Sequence, residues 1–169
     1  NERNLSLFGA TLAEGKFGNS FYFDGVQDYA HVFDHFTALG NVYTFAFFVQ
    51  IHNADSAERL PIFTFAKNQV NEKKYLEVYQ EDNKIKIEST YDPNKNFKVT
   101  ENIVSNNWYH VALVKSSDTT QEVYINGSLR HSAYDSYWGV QEGNRIDLAR
   151  DQYQHRFEGK IDDIRIYDR

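Results

Sequence analysis

Trp108-Tyr109-His110-Val111-Ala112-Leu113-Val114-Lys115, followed by Glu122-Val123-Tyr124-Ile125-Asn126-Gly127-Ser128-Leu129-Arg130, is the stretch that decides the class of fold. Both runs are rich in β-branched and aromatic residues, which suit a pleated, half-buried surface. Asn126-Gly127 separates Val123-Tyr124-Ile125 from Ser128-Leu129-Arg130, and Asn-Gly at that place is the strongest short-range hairpin signal because both residues accept positive φ. The same period-two texture extends in both directions. It predicts strands at Ser20–Phe23, Tyr29–Phe33, Tyr43–Ile51, Ile62–Lys67, Tyr75–Gln80, Lys84–Thr90, Phe97–Thr100, Trp108–Lys115, Glu122–Ile125, Arg130–Ala133, Arg145–Ala149, Arg156–Glu158 and Ile161–Tyr167. Glu81-Asp82-Asn83 reads as a second tight hairpin and Tyr91-Asp92-Pro93-Asn94 as a turn. The one helix-like run, Ala54 to Leu60, amounts to a surface turn. Many short strands at regular spacing predict an all-β sandwich or barrel.

The chain has 169 residues, a formal net charge of −6, no Cys and no Met, and 16% aromatic residues. One domain of about 100–200 residues accommodates that length, and nothing resembles a linker or repeat, so residues 1–169 read as one domain. No run approaches the roughly 18 apolar residues of a membrane span. An acidic balance without a basic patch argues against nucleic acid. The absence of Cys removes disulfides, zinc thiolates and thiol nucleophiles. The absence of Met leads us to expect a module excised from a longer protein, or a mature product.

Four segments, in order, resemble the laminin-G-like, concanavalin-A-like jelly-roll family. Gly15-Lys16-Phe17-Gly18-Asn19-Ser20-Phe21-Tyr22-Phe23-Asp24-Gly25-Val26-Gln27-Asp28-Tyr29 is similar to its opening. Tyr43-Thr44-Phe45-Ala46-Phe47-Phe48-Val49 looks like the central strand, with Phe48 where a Trp is usual. Trp108 to Val114 with Val123 to Gly127 resembles its Trp-x-His-Val-Ala strand and following hairpin, and Phe157-Glu158-Gly159-Lys160-Ile161-Asp162-Asp163-Ile164-Arg165-Ile166-Tyr167 its closing strand. The region ahead of Gly15 is shorter than the family usually has. The resemblance implies a two-sheet antiparallel jelly-roll sandwich and a non-catalytic module, usually extracellular, that binds sugars, glycans or proteins, often with a structural calcium.

In the closing strand Asp162 shares parity with Ile164 and Ile166. If the Ile face is the core, Asp162 points inward, where a carboxylate must be paired or metal-bound. Arg130, Arg145 or Arg150 would serve as the partner in the first case. In the second, calcium would combine carboxylate and carbonyl oxygens. The resemblance places the family's calcium near the matching Asp, with Asp24 and the Gly25 carbonyl as the next candidates.

The superfold also hosts glucanases with Glu-x-Asp-x-Glu on one strand. The one near match, Glu77-Val78-Tyr79-Gln80-Glu81, lacks the middle acid and reads as a solvated strand face. Ligand contact is better sought where aromatic rings sit in polar loops, because sugars stack an apolar face on a ring while their hydroxyls pair with polar groups. Tyr134-Asp135-Ser136-Tyr137-Trp138-Gly139 and Asp151-Gln152-Tyr153-Gln154-His155 meet that test; the family's connectivity places both near one rim. The expected ligand-binding residues are therefore Asp135, Tyr137, Trp138, Asp151, Tyr153 and His155. The expected function is a carbohydrate-binding, lectin-like module of a larger extracellular protein, secreted or at the cell surface, whose partner is a glycan or cell-surface glycoconjugate, without nucleic acid or membrane insertion. A protein-adhesion module using the same surface is the second reading, and a glycoside hydrolase or lyase the third.

Overall fold

A computed structural model of the chain describes residues 5–33, 42–67, 74–89, 98–116, 120–134, 144–151 and 153–168. Its strands are β1 (Ser6–Phe8), β2 (Thr11–Glu14), β3 (Asn19–Asp24), β4 (Tyr29–Phe33), β5 (Tyr43–Ile51), β6 (Leu60–Lys67), β7 (Lys74–Glu81), β8 (Lys84–Ser89), β9 (Lys98–Asn102), β10 (Trp108–Lys115), β11 (Thr120–Ile125), β12 (Ser128–Tyr134), β13 (Asn144–Leu148) and β14 (Glu158–Tyr167). Among the described residues no helix forms, let alone one long and apolar enough to cross a membrane. The strands make two antiparallel sheets. The first has the order β1-β4-β13-β6-β7-β8-β9, the second β12-β11-β10-β5-β14-β3-β2. This is the jelly-roll sandwich that the sequence predicts.

The turns follow their chemistry. Asn126 and Gly127 have φ of 50° and 75°, and Asp82 and Asn83 have φ of 54° and 58°, so both hairpins close over two residues. The Asn126 carboxamide also accepts from the His110 amide at 2.9 Å, which ties the hairpin to β10. Between the sheets, alternate residues of the central strands interdigitate. Phe45, Phe47, Phe63 and Phe65 pack with centroids 5.6 Å apart, joined by Phe23, Tyr43, Val111, Ile146, Phe157 and Ile161. Each such side chain contributes about 1.5–3 kcal/mol through burial, so a ring-rich core replaces disulfides.

Two features differ from expectation. The segment ahead of Gly15 holds two strands: β1 extends the first sheet beside β4, and β2 closes the second beside β3. The closing strand is not a regular ladder either. Asp162 pairs with Phe48 and Arg165 with Ala46, so Asp163 and Ile164 together oppose Phe47. This is a β-bulge with Asp163 at φ 49°. One extra residue inverts parity, so Ile161, Ile164 and Ile166 all pack on the core. Asp162, next to Ile161, therefore points away from the core. It is buried on the outer face of the second sheet, beneath the Gly15–Gly18 turn.

Candidate functional site

On the outer face of the first sheet, one row of cross-strand neighbours runs His31, Asp147, Thr64, Glu77, Glu88. Asp147 and Glu77 are buried there and Glu88 partly so, and each carboxylate needs a charged partner. Arg145 and Arg150 donate to the two oxygens of Asp147 at 2.6 and 2.9 Å. Arg59 pairs with Glu77 and with Glu88, and lies over the Tyr79 ring at 3.8 Å. Burial, then the Glu88 carboxylate, holds the Tyr79 hydroxyl well above its ordinary range, so it stays protonated and donates to Glu88 at 3.0 Å. Burial, then the Arg150 charge, pushes the His31 imidazole below its ordinary value, and its Nδ1 accepts from Arg150 at 3.4 Å. Glu77 is only 1% exposed. Glu81, four residues along the same strand, lies about 13 Å away at strand rise and pairs with Lys86. Paired retaining carboxyls stand about 5 Å apart, so Glu77 and Glu81 form no such pair.

At one end of this face lies the loop from β13 to β14, one of those that cross between the two sheets. Arg150 and Arg156 bridge across its base, and their guanidinium groups lie 3.9 and 5.6 Å from the Tyr29 ring centroid. Phe8 stacks on Tyr29 at 4.5 Å with planes 8° apart. Within the loop, Asp151 is turned inward. One carboxylate oxygen accepts from the Tyr153 and His155 amides at 2.9 and 3.0 Å, and the other accepts from His155 Nδ1 at 2.9 Å. Its side chain is fully buried. This corrects the expectation that Asp151 meets ligand: an Asx-type cap satisfies its oxygens within the loop. The cap presents Tyr153, 68% exposed, and His155, with ring centroids 6.1 Å apart. Tyr134 ends β12 with its ring exposed, but its segment leads into the Asn144 end of β13, opposite the Leu148 end from which the Asp151–His155 loop departs, so the expectation that both segments share one rim is not met; Asp135, Tyr137 and Trp138 lie outside the described residues. Phe8, Tyr29, Arg150 and Arg156 complete the patch. Arg150 and Arg156 bracketing the polar loop are the sequence signal that could have shown them.

The metal candidates do not converge. Asp24 opposes Glu158, whereas Asp162 lies four residues further along β14, about 13 Å away. Asp24 Oδ1 accepts from the amides of Val26, Gln27 and Asp28, bonds that hold its carboxyl below the usual range, and Gly25 sits in that turn at φ 76°. Asp162 accepts from the Phe17 amide at 2.8 Å and the Asp163 amide at 2.7 Å. Backbone donors thus solve the desolvation problem that suggested calcium or an arginine partner. Among the described residues no three His, Asp or Glu side chains group to hold a metal ion, and Asp24, Gly25 and Asp162 do not fit one calcium site.

A family model described as the concanavalin A-like lectin/glucanases superfamily, of laminin G type, matches residues 19–169. The chain belongs to that superfamily. None of the curated proteins matches its sequence significantly. Among solved structures it is similar to domain 4 of AbnA, a GH43 extracellular arabinanase from Geobacillus stearothermophilus, in complex with arabinotriose; identity is 19% over 97% of this chain and 81% of that one, with a TM-score of 0.74. It is also similar to the ligand binding domain of botulinum neurotoxin serotype D in complex with N-acetylneuraminic acid, at 14% identity over 99% of this chain and TM-score 0.75. The binding domain of Paraclostridial Mosquitocidal Protein 1 gives 15% identity over 99% and TM-score 0.72. This superfamily member spans 43% and 44% of those two toxin chains, less than half of each. At these identities the likeness establishes fold, and function must be argued from sites.

Proposed function

We propose that the chain is a non-catalytic carbohydrate-binding module of a larger extracellular protein, with its glycan site at the rim carrying Tyr153 and His155. The observation that supports this most is the internal Asp151 cap. It uses a buried carboxylate to fix the loop backbone at Tyr153 and His155 and the His155 ring itself, in a polar loop whose Tyr153 ring is 68% exposed. A preorganised ring offers stacking area at small entropic cost. The Arg150 and Arg156 guanidinium groups beside Tyr29 supply donors for hydroxyl or carboxylate oxygens. Asp135, Tyr137 and Trp138 are proposed as ligand contacts on their sequence chemistry alone, because their segment leads into the Asn144 end of β13 whereas Asp151 to His155 follow its Leu148 end. Solved relatives whose structures hold arabinotriose and N-acetylneuraminic acid support the ligand class. The arginine-paired state of Glu77 and its distance from Glu81 support a binding rather than a hydrolytic role.

The test is a glycan array probed with the wild type and with Tyr153→Ala, His155→Ala and Trp138→Ala. We expect saccharide binding in the wild type and at least a tenfold loss in each variant, with melting temperatures unchanged for the exposed Tyr153. A glycan signal that survives Tyr153→Ala and His155→Ala refutes the rim site, and one that survives Trp138→Ala removes Asp135, Tyr137 and Trp138 from the proposed contacts. Binding to proteins but to no saccharide replaces the carbohydrate reading with the adhesion reading.

A further inference from the structure

The bulge that turns Asp162 outward also shapes a cleft on the opposite side of the sandwich from the Tyr29 patch. On the outer face of the second sheet, Ala112, Ala46 and Arg165 are cross-strand neighbours. The two alanines stand at the centre of an outward face, yet each is only 9% exposed, because longer side chains rise on both sides of them. Along one side run His110 and Phe48, with ring centroids 4.7 Å apart. Along the other lies Tyr167, opposite Thr44. Phe17 stands edge-on over Phe48 at 5.3 Å and 81°, and is itself 61% exposed. Its loop is fastened by the bond from the Phe17 amide to Asp162. The cleft is open to solvent and has a volume of about 340 Å³, at the small end of small-molecule sites.

The chemistry of the walls is divided. One side carries the Phe17 and Phe48 rings, with the His110 imidazole against Phe48. The other is polar and fixed: Arg165 donates to Asp163 at 2.8 Å and to the Tyr167 hydroxyl at 3.3 Å. Those bonds use two of the five guanidinium N–H groups and leave the rest to point at a ligand. Burial pushes the His110 imidazole below its ordinary value, so near neutral pH it adds an uncharged donor and acceptor. The Arg165 charge is balanced by Asp163. An occupant must therefore present an apolar face to the phenylalanines and uncharged hydroxyls to the polar side.

We propose that this cleft is a second, independent subsite for one neutral sugar residue of a glycan, stacked on Phe48 and Phe17 and hydrogen-bonded by Arg165 and His110. It rests on the carbohydrate-binding reading for ligand class, but shares no residue with the rim. Two subsites on different faces make the module bivalent for glycan.

The experiment is a ¹⁵N NMR titration with arabinotriose, cellotriose and N-acetylneuraminic acid, each to tens of millimolar. We expect a neutral saccharide to shift the amides of Phe17, Ala46 and Arg165. Phe17→Ala and Ala46→Leu should weaken those shifts at least tenfold while leaving any shifts at Tyr153 and His155 in place, and Tyr153→Ala should do the reverse. Arg165→Gln, at an exposed position, checks the polar side without risk to the core. The proposal is overturned if no neutral saccharide moves the cleft signals, if the shifts survive both Phe17→Ala and Ala46→Leu, or if the acidic sugar binds there as well as the neutral ones. Cleft shifts without rim shifts would overturn the rim site and leave the cleft standing; rim shifts alone would do the opposite.

Discussion

Asp162→Ala separates two accounts of a buried carboxylate: one held by backbone amides and one held by a metal. The side chain accepts two short bonds, from the Phe17 amide at 2.8 Å and from the Asp163 amide at 2.7 Å. A hydrogen bond to a charged acceptor is worth about 1.5–3 kcal/mol. Phe17 is exposed, so water replaces part of its loss. The expected sum is about 2–4 kcal/mol. For a chain of this length each kcal/mol lowers Tm by about 2–4 °C, so Tm should fall by roughly 5–15 °C. Asp162→Asn keeps one acceptor oxygen and should fall between the two. The assay is thermal unfolding followed by circular dichroism, in excess calcium and in EDTA. Amide bonds do not depend on calcium, so the gap between wild type and Asp162→Ala should be the same in both buffers. A gap present in calcium and absent in EDTA would mean that Asp162 ligates the ion, and the reasoning from its two amide donors would be wrong.

Arg59→Ala strips the main cation from Glu77, which is almost fully buried. Breaking a buried pair costs about 3–5 kcal/mol, and because Arg59 is 30% exposed we expect the lower end, read as a reduced midpoint in urea. Gly159→Ala should abolish folding, because its Cβ would lie 2.2 Å from the Gln50 carbonyl oxygen in the middle of the second sheet; soluble expression with native circular dichroism would contradict the strand pairing. Burial holds the imidazoles of His31, His52, His110 and His131 below their ordinary value of 6.5. The unfolded chain then takes up those protons first, so stability present above that pH is lost as pH falls through it. Tm should decline steadily on acidification from neutral pH, and His31→Gln should flatten the slope; a Tm that rises on acidification would contradict the burial of these rings.

Most of the fold was legible because a sandwich strand carries its own signature. Alternation placed β3 to β13 near their observed positions and divided β14 into Arg156–Glu158 and Ile161–Tyr167, and Asn126-Gly127 and Asp82-Asn83 announced their turns. β1 and β2 were not legible, since Ser-Leu-Phe and Thr-Leu-Ala-Glu are too short to show alternation. The bulge was invisible for a deeper reason. Parity arguments assume an unbroken ladder, and one added residue reverses every inference beyond it. Asp162 was thus assigned to the core because Ile164 and Ile166 belong there. The rim was legible in part: Tyr153 and His155 stand out as rings in a polar loop, and they are exposed. Asp151 was misjudged because an Asp that caps its own loop and an Asp that faces a ligand occupy the same kind of sequence. The cleft was missed because Phe48 and His110 lie in strands, where rings read as packing. The signal lay in Ala46 and Ala112, two small residues of outward parity between large ones.

The bulge in β14 joins the fold to its surface chemistry. The core needs three isoleucines from this strand, at 161, 164 and 166, and a regular ladder could supply only two of them on one face. The extra residue resolves that conflict and has three consequences outside. It leaves Asp162 facing outward, where the carboxylate fastens the Phe17 loop. It places Asp163 in the left-handed region, where its own carboxylate reaches Arg165. It sets Arg165 level with Ala46, on the floor of the cleft. A bulge is costly in ladder hydrogen bonds, and in β14 each of the groups it displaces finds a partner on the outer face: the Phe17 amide for Asp162, the Arg165 guanidinium for Asp163 and the Tyr167 hydroxyl for Arg165. The conflict between core and register is therefore what assembles the polar wall opposite Phe48, and a neutral sugar is the ligand whose two faces match the two walls.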